Sequence, residues 1–242
     1  MSGAAMLKHP IVQVAGIVDE EEAHALCAAG IGWLGFPLRL DVHPQDLSEE
    51  EARWIIATLP EWVVPVLITY ETDWRALKDL ADFLGVRAVQ VHGDLKMEGL
   101  RALRAACPAL FLIKSLVVGR TALKDLLAAV DLTAPVVDAF LTDTFDPETG
   151  ARGATGKVHD WEASGRIVQY APKPVILAGG LTPENVAEAV RIVRPAGVDA
   201  HTGLEDASGR KDMGKVKRFY REALRAFGQW ERGPRVNANE RR

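Results

Sequence analysis

Polar side chains that could exchange protons stand at the ends of two short apolar runs. Asp143 follows the run Val136–Leu141, while Asp199 and His201 stand two residues apart at the end of Gly197–Ala200. A carboxyl group can act as a general acid or base near neutral pH when burial raises its pKa, and an imidazole is suited to proton transfer there. Asp143, Asp199 and His201 are therefore candidate catalytic residues. A turn-capping role for Asp143, and a phosphate contact or a plain loop position for His201, remain open.

Two glycine-containing segments could bind an anion. Gly179 and Gly180 follow the seventh apolar run, and Thr202 and Gly203 follow the eighth. Glycine lets backbone N–H groups approach an anion closely, and the start of a helix adds a favourable dipole. If a short extra helix begins after His201, the two segments form the halves of a phosphate site. Ordinary turn glycines are the alternative.

Gln90 and His92 have the spacing of two that puts side chains on one face of a strand. They could bind a substrate or fill the upper layer of a barrel. Lys114 ends another run, and nothing else in the sequence supports a Schiff-base role for it. The six histidines show no metal-ligand spacing, so neither a metal nor a cofactor is predicted.

These residues are separated by eight apolar runs that alternate with longer amphipathic segments, a pattern typical of buried parallel strands covered by helices. The predicted strands are Ile11–Ala15, Ile31–Gly35, Trp62–Ile68, Ala88–Val91, Leu110–Lys114, Val136–Leu141, Pro174–Ala178 and Gly197–Ala200. The predicted helices are Asp19–Ala29, Ser48–Thr58 (with a capping-box spacing to Glu51), Thr72–Leu84, Lys96–Ala106, Thr121–Ala129, Asp160–Tyr170, Thr182–Arg194 and Asp212–Phe227.

Eight such units in one uninterrupted chain predict a single-domain (β/α)8 TIM barrel over residues 11–228, of the α/β class. A doubly wound open sheet is the alternative. Residues 1–10 are an N-terminal extension and residues 229–242 a polar C-terminal tail. The active site of such a barrel lies at the carboxyl ends of the strands, and its eighth strand lies beside its first. His201 is therefore expected near Ala15, and the glycine-rich segment Gly150–Gly156 is typical of a mobile loop.

Composition narrows the class of protein. The chain has 242 residues, a net charge of −4 and a hydrophobic fraction of 48%, which fits a globular protein and does not favour nucleic acid as a partner. Its two cysteines, Cys27 and Cys107, form no disulfide pattern. The N-terminus has no signal-peptide core, and no apolar run reaches the length of a membrane span. A cytoplasmic protein is predicted.

Several segments, in the right order along the chain, resemble the phosphoribosylanthranilate isomerase family. They are Val89–Gly93, Gly153–Lys157, Asp160-Trp161, Leu177–Val186, Gly197–Asp199, Thr202–Glu205 and Gly209–Asp212. The resemblance implies a (β/α)8 barrel that binds a small phosphorylated sugar and performs an Amadori rearrangement in tryptophan synthesis. It also implies that Asp143 is the general acid, that Asp199 matches a second site aspartate, and that Gly179, Gly180, Thr202 and Gly203 form the phosphate site.

Two residues that the family uses are replaced. The family's first strand ends in Lys-x-Cys-Gly, with the cysteine as general base, whereas this chain has Gln13-Val14-Ala15-Gly16. After the second strand the family has an arginine for the anthranilate carboxylate, and Gln45 stands there, with Arg39 nearby as a possible substitute.

Three hypotheses follow from these replacements. The first is a phosphoribosylanthranilate isomerase with a substitute base such as His201. The second is an isomerase or lyase for another sugar phosphate, one that lacks the aromatic carboxylate. The third is a non-catalytic phosphosugar-binding protein. A homodimer is compatible with each of them.

Overall fold

Eight parallel strands close into a barrel in the order β1 to β8. The computed structural model describes residues 10–40, 45–119, 121–144 and 161–231. The strands are β1 Ile11–Ala15, β2 Trp33–Leu38, β3 Val64–Thr69, β4 Ala88–Val91, β5 Phe111–Val118, β6 Ala139–Thr144, β7 Val175–Leu177 and β8 Gly197–Ala200. The barrel that the sequence predicts is therefore confirmed, and the open sheet is excluded.

Helices follow the strands and cover the outside of the barrel. They are α1 Glu20–Ala28, α2 Glu49–Thr58, α3 Trp74–Leu84, α4 Met97–Ala106, α5 Leu123–Thr133, α6 Trp161–Tyr170, α7 Val186–Val193 and α8 Met213–Glu231. A short 3-10 helix, Thr202–Leu204, lies between β8 and α8. The predicted capping box of α2 is present, with Ser48 and Glu51 each accepting from the other's backbone N–H. In the described part of the chain, no helix has the length and apolarity needed to cross a bilayer.

The core has two layers, as the strand period of two requires. Alternate strand residues such as Ile113 and Leu141 fill the barrel interior. Their neighbours on the other face pack against the helices. Gln13 of β1 is the register partner of Asp199 of β8. Gln13 shares its parity with Ile11 and Ala15 of the interior cluster, so this pair belongs to the interior layer.

Four strands, β2, β3, β5 and β6, run further toward their carboxyl ends than the apolar runs predict. Polar residues continue the ladder in β6, where Asp143 pairs with Val117 and Thr144 pairs with Val118. The extension of β5 puts Lys114 in mid-strand, with its Nζ donating to the carbonyl of Gly93 at 2.8 Å. Lys114, which ends its apolar run in the sequence, therefore lies inside a longer strand, because ladder hydrogen bonds tolerate polar side chains that a hydrophobicity pattern reads as a strand end.

Three predicted segments, the two chain ends and one loop, lie partly or wholly outside the described residues. Helix α8 continues to Glu231, past the predicted end at Phe227. The rest of the predicted tail, residues 1–9 of the predicted extension and the glycine-rich segment Gly150–Gly156 lie outside the described residues.

Candidate active site

Two carboxyl groups are buried at the carboxyl ends of β6 and β8. Asp143 and Asp199 are 6% and 7% exposed. Burial raises the pKa of Asp143 to about 7, against a hydrogen bond from the Thr144 N–H that lowers it. Burial and the nearby Asp143 raise the pKa of Asp199 to about 8, opposed by Gln13 and Lys211. Both groups can therefore hold or release a proton near neutral pH.

A buried amide pair lies beneath Asp199. The Nε2 of Gln13 donates to the Oε1 of Gln90 at 3.0 Å, and Gln13 lies beside Asp199 as its register partner on the neighbouring strand. Both glutamines are almost completely buried. Sequence reasoning missed Gln13, although its parity with Ala15 on β1 was a signal that could have found it.

His92 lies on the other side of the carboxyl pair. Its Nε2 is 3.8 Å from the Oδ2 of Asp143, and its ring packs on Tyr70 with centroids 4.9 Å apart. Gln90 and His92, predicted to share one face of β4, thus approach different aspartates. Gln90 approaches Asp199 through Gln13, and His92 approaches Asp143.

The imidazole of His201 lies against the end of β1. A Cβ atom added to Gly16, whose φ is +76°, would come within 2.0 Å of the Nε2 of His201, so only glycine leaves room for this ring. The same Nε2 is 3.1 Å from the Oε1 of Glu205. His201 thus occupies the predicted place beside Ala15, at the mouth of β1.

A buried ammonium supports this contact. The side chain of Lys211 has no solvent exposure, and its Nζ is 3.0 Å from the Oε1 of Glu205. It also donates to the carbonyl of Gly16 at 2.8 Å. Neither Glu205 nor Lys211 was singled out from the sequence except as part of the family motif, since their contact depends on how the loop after β8 folds back onto β1.

The two glycine turns meet after β7 and β8. Gly203 packs so closely on the Gly180 turn that a Cβ atom there would lie 2.0 Å from the carbonyl oxygen of Leu181. Asn185 fixes the turn, because its Nδ2 donates to the carbonyl of Gly180 at 2.9 Å and its Oδ1 accepts from the N–H of Thr182. Among the described residues, the backbone N–H groups of Gly180 and Gly203 have no acceptor.

The loop after β2 is held by charge pairs. The guanidinium of Arg39 binds Glu49, at 2.8 Å from Nε to Oε1, and Glu71, at 3.2 Å from Nη1 to Oε2. Gln45 accepts from the backbone N–H of Arg39 at 2.8 Å and donates to the carbonyl of Leu47. As folded, Gln45 is hydrogen-bonded within this loop, and Arg39 ties the loop to α2 and to the segment after β3.

One cleft brings most of the predicted residues together. Its lining includes Asp143, Gly179, Gly180, Asp199, His201, Thr202 and Gly203. The four predicted substrate-binding residues, Gln90, His92, Arg39 and Gln45, are not part of this lining. Among the residues that the structure describes, no group of three or more His, Cys, Asp or Glu side chains could hold a metal ion.

Fold and site together define a class. A closed (β/α)8 barrel carries titratable side chains beside glycine turns at the carboxyl ends of its strands, which is where enzymes of this fold do their chemistry.

Comparison with known proteins gives the family. The family model "N-(5'phosphoribosyl)anthranilate (PRA) isomerase" matches residues 13–222. The chain is 40% identical over 218 residues to N-(5'-phosphoribosyl)anthranilate isomerase of Haloferax volcanii, covering 90% of this chain and 94% of the relative. It is 38% identical to N-(5'-phosphoribosyl)anthranilate isomerase 2 of Methanosarcina mazei, over 89% and 95% of the two chains. The chain therefore belongs to the phosphoribosylanthranilate isomerase family.

Solved structures agree with this assignment. The phosphoribosyl anthranilate isomerase of Thermotoga maritima superposes with a TM-score of 0.75 at 29% identity, covering 88% of this chain and 98% of that one. The resemblance that the sequence motifs indicated is thus confirmed.

Proposed function

We propose that the protein catalyses the Amadori rearrangement of N-(5'-phosphoribosyl)anthranilate to the corresponding 1-amino-ketose phosphate, a step of tryptophan biosynthesis. The observation that carries this proposal is the family match over residues 13–222, which spans every residue of the cleft described above. Relatives of similar length carry the name of this isomerase. The reaction moves protons within one molecule, so it needs an acid, a base and a grip on the phosphate.

Asp143 is the proposed acid for the first step. It protonates the furanose ring oxygen, the C1–O bond breaks, and the nitrogen lone pair forms a C1=N iminium. Because burial raises the pKa of Asp143 to about 7, a large share of the protein carries the required proton at neutral pH. Asp199, whose pKa is raised to about 8, stays protonated beside it and limits the negative charge of the pair.

His201 is the proposed base for the second step. The residue expected to act as base in the family is Ala15 here, and a methyl group cannot accept a proton. The imidazole of His201 lies on the adjacent Gly16 and lines the cleft with Asp143. It removes the C2 proton, the electron pair of that bond forms C1=C2, and the iminium electrons return to nitrogen. The enol then becomes the ketose when C1 gains a proton, the C1=C2 electron pair forms the new C1–H bond, and the C2 hydroxyl loses its proton to leave C2=O.

The substrate contacts proposed here come from both glycine turns and the β4 face. The backbone N–H groups of Gly179, Gly180, Thr202 and Gly203 are proposed to bind the phosphate. This is supported by the N–H groups of Gly180 and Gly203, which have no acceptor among the described residues. Gln90 and His92 are proposed to contact the sugar.

Arg39 and Gln45 stay predicted contacts of the aromatic carboxylate. Binding by Arg39 requires the substrate to replace one of its two glutamate partners.

The paired state of Arg39 favours one alternative. An isomerase or lyase that acts on a sugar phosphate without the aromatic carboxylate has no use for a free arginine. The names of the relatives do not favour this second candidate. A non-catalytic binding protein is favoured still less, since the relatives carry the name of an enzyme.

The test is the loss of fluorescence of freshly generated phosphoribosylanthranilate with purified protein, with Asp143→Asn as control. We expect turnover by the wild type and a loss of kcat of about 10²–10⁴-fold in the variant, the usual contribution of a general acid. No turnover by a folded wild-type protein that binds inorganic phosphate would reject the proposed substrate. Equal activity of both proteins would remove Asp143 from the catalytic role.

A homodimer is also proposed. A Thermotoga maritima relative is described as dimeric, and this chain has an apolar groove of about 720 Å³ at the amino ends of the strands, lined in part by Trp62, Tyr220 and Leu224. The indole of Trp62 is 56% exposed. Sedimentation of the wild type against Trp62→Glu tests this, since a monomeric wild type rejects the dimer. A cytoplasmic location and the absence of a nucleic-acid partner stay predictions.

A further inference from the structure

His201 has one side-chain partner in the described part of the chain. Its Nε2 lies 3.1 Å from the Oε1 of Glu205, a contact in which the carboxylate accepts. The ring is held from below by Gly16, whose backbone leaves no room for a side chain under Nε2. The Nε2 edge of the imidazole is thus committed to Glu205 and to the end of β1.

Glu205 is fixed in its ionised form. Burial raises its pKa, but hydrogen bonding to His201 and the charge of Lys211 outweigh burial and lower the pKa of Glu205 to about 2. The fully buried Lys211 needs this carboxylate, because an unpaired ammonium in the protein interior is costly. Lys211 is itself anchored, since its backbone N–H donates to the Oε1 of Glu22 at 2.6 Å.

The ionised state decides the tautomer of His201. A carboxylate only accepts hydrogen bonds, and a neutral imidazole carries a single N–H. The nitrogen that faces Glu205 must therefore be the protonated one, so that Nε2 donates and Nδ1 keeps the lone pair. His201 lines the cleft together with Asp143 and Asp199, and Nδ1 is the ring nitrogen that Glu205 does not occupy.

We propose that Glu205, held in place by Lys211, is a positioning residue that fixes the Nε2–H tautomer of His201 and leaves Nδ1 as the atom that takes the C2 proton. This inference rests on the proposed function, in which His201 is the base. It goes beyond it by assigning the accepting atom and the residues that set it. The carboxylate also stabilises the imidazolium that forms when the proton arrives.

Four charged or titratable groups face this imidazole from the elements around it. Glu205 and Lys211 lie on the Nε2 side, and Asp143 and Asp199 lie across the cleft. The two aspartates are the groups whose protonation changes near neutral pH, so kinetics alone would mix their titration with that of His201. A direct readout of the tautomer is therefore needed.

The first experiment is 15N NMR of the full-length protein with labelled histidine, at a pH where His201 is neutral. His201→Gln assigns the resonance. We expect the wild type to show a protonated Nε2 and an unprotonated Nδ1. Glu205→Gln keeps an accepting oxygen and should keep this tautomer, whereas Glu205→Leu should lose it. A wild-type Nδ1–H tautomer, or an unchanged spectrum in Glu205→Leu, would overturn the positioning role.

The second experiment measures kcat and KM against pH for the same proteins, with Glu222→Gln in α8 as the matched control. We expect kcat to fall about 10²-fold in Glu205→Leu and about 10-fold in Glu205→Gln, with KM changing less than about two-fold. In Glu205→Gln the pH profile should differ from that of the wild type, because the imidazole loses its anionic partner. A purely structural role would lower the melting temperature and leave the tautomer and the pH profile unchanged.

The two experiments separate failure of this inference from failure of the proposed function. An Nε2–H tautomer that depends on Glu205, found in a protein without any turnover, would reject His201 as the base and keep the orienting contact. Turnover that survives Glu205→Leu with an unchanged pH profile would reject the positioning role and keep the isomerase.

Discussion

The rim of the barrel has two unlike halves. One half lies at the carboxyl ends of β6, β7 and β8, and the other lies at the carboxyl ends of β1 and β2. The first half, called the kept half below, carries Asp143, Asp199 and the glycine turns, which match the family's motifs in the sequence. The second half carries Ala15 and the self-paired loop around Arg39, where the pattern is changed. In the proposed function the first half binds phosphate and protonates the ring, whereas the second half has an alanine at the position expected for the base and an arginine already paired with two glutamates.

The boundary between the halves shows how the loss can be compensated. His201 belongs by sequence to β8 but lies on Gly16 at the end of β1. Because β8 and β1 are neighbours in a closed barrel, the side chain of His201 reaches the end of β1, where Ala15 stands at the position expected for the base. If His201 is the base, as proposed, the role expected of the β1 end has passed to a residue that follows the neighbouring strand.

The largest effect on activity is expected from a variant that removes His201. His201→Ala should lower kcat by about 10²-fold or more, since it removes the proposed base. Adding Ala15→Cys to that variant should restore part of the activity by supplying a thiol at the neighbouring position. The two variants are compared in the fluorescence assay, with melting temperatures recorded. Full activity in His201→Ala would mean that the base lies elsewhere.

A second test measures how much folding stability is lost when the two buried carboxyl groups ionise. The pKa values of Asp143 and Asp199 are raised to about 7 and about 8 by burial, whereas both ionise near pH 4 in the unfolded chain. The unfolded state therefore binds fewer protons between these values, and the free energy of unfolding should fall as pH rises, by about 1.4 kcal/mol per unit for each fully titrating group.

Asn mimics the neutral carboxyl, so the sign of the effect can be checked directly. Asp143→Asn and Asp199→Asn should gain stability relative to the wild type as pH rises from 4 to about 8. Urea unfolding at several pH values measures the difference. A difference that stays constant over this range would show that neither carboxyl resists ionisation in the folded protein.

A third test sharpens the role of the glycine turns. Gly203→Ala places a Cβ atom against the carbonyl of Leu181 and should separate the two turns. We expect KM to rise about 10-fold with a smaller effect on kcat, because phosphate binding is shared by substrate and transition state. Gly165→Ala, in α6 with no atom closer than 3.9 Å, is the matched control. A rise in KM in both variants would point to general destabilisation.

The smallest effect is expected in the changed half. Glu71→Gln releases one partner of Arg39 and should lower KM for phosphoribosylanthranilate by about two- to three-fold, because a less occupied guanidinium can meet the carboxylate. Glu98→Gln on α4 is a surface control. An unchanged KM in Glu71→Gln would mean that Arg39 does not bind the aromatic carboxylate.

The sequence by itself determined the barrel and the kept half of the rim. Alternating apolar runs and amphipathic segments specify buried parallel strands and covering helices, and the order of the motifs specifies the family. Asp143, Asp199 and the glycines stand at strand ends, and a barrel brings strand ends together whatever the loops do. Their assembly in one cleft therefore follows from spacing alone.

Tertiary structure decided the rest, because it depends on side chains that are far apart along the chain. Gln13 meets Gln90 across 77 positions, and Lys211 reaches Gly16 across 195 positions. Arg39 reads as a free cation in the sequence but is neutralised by Glu49 and Glu71 from two other elements. Local propensity sets where a strand begins and ends, whereas only the packed loops determine which buried charge meets which partner.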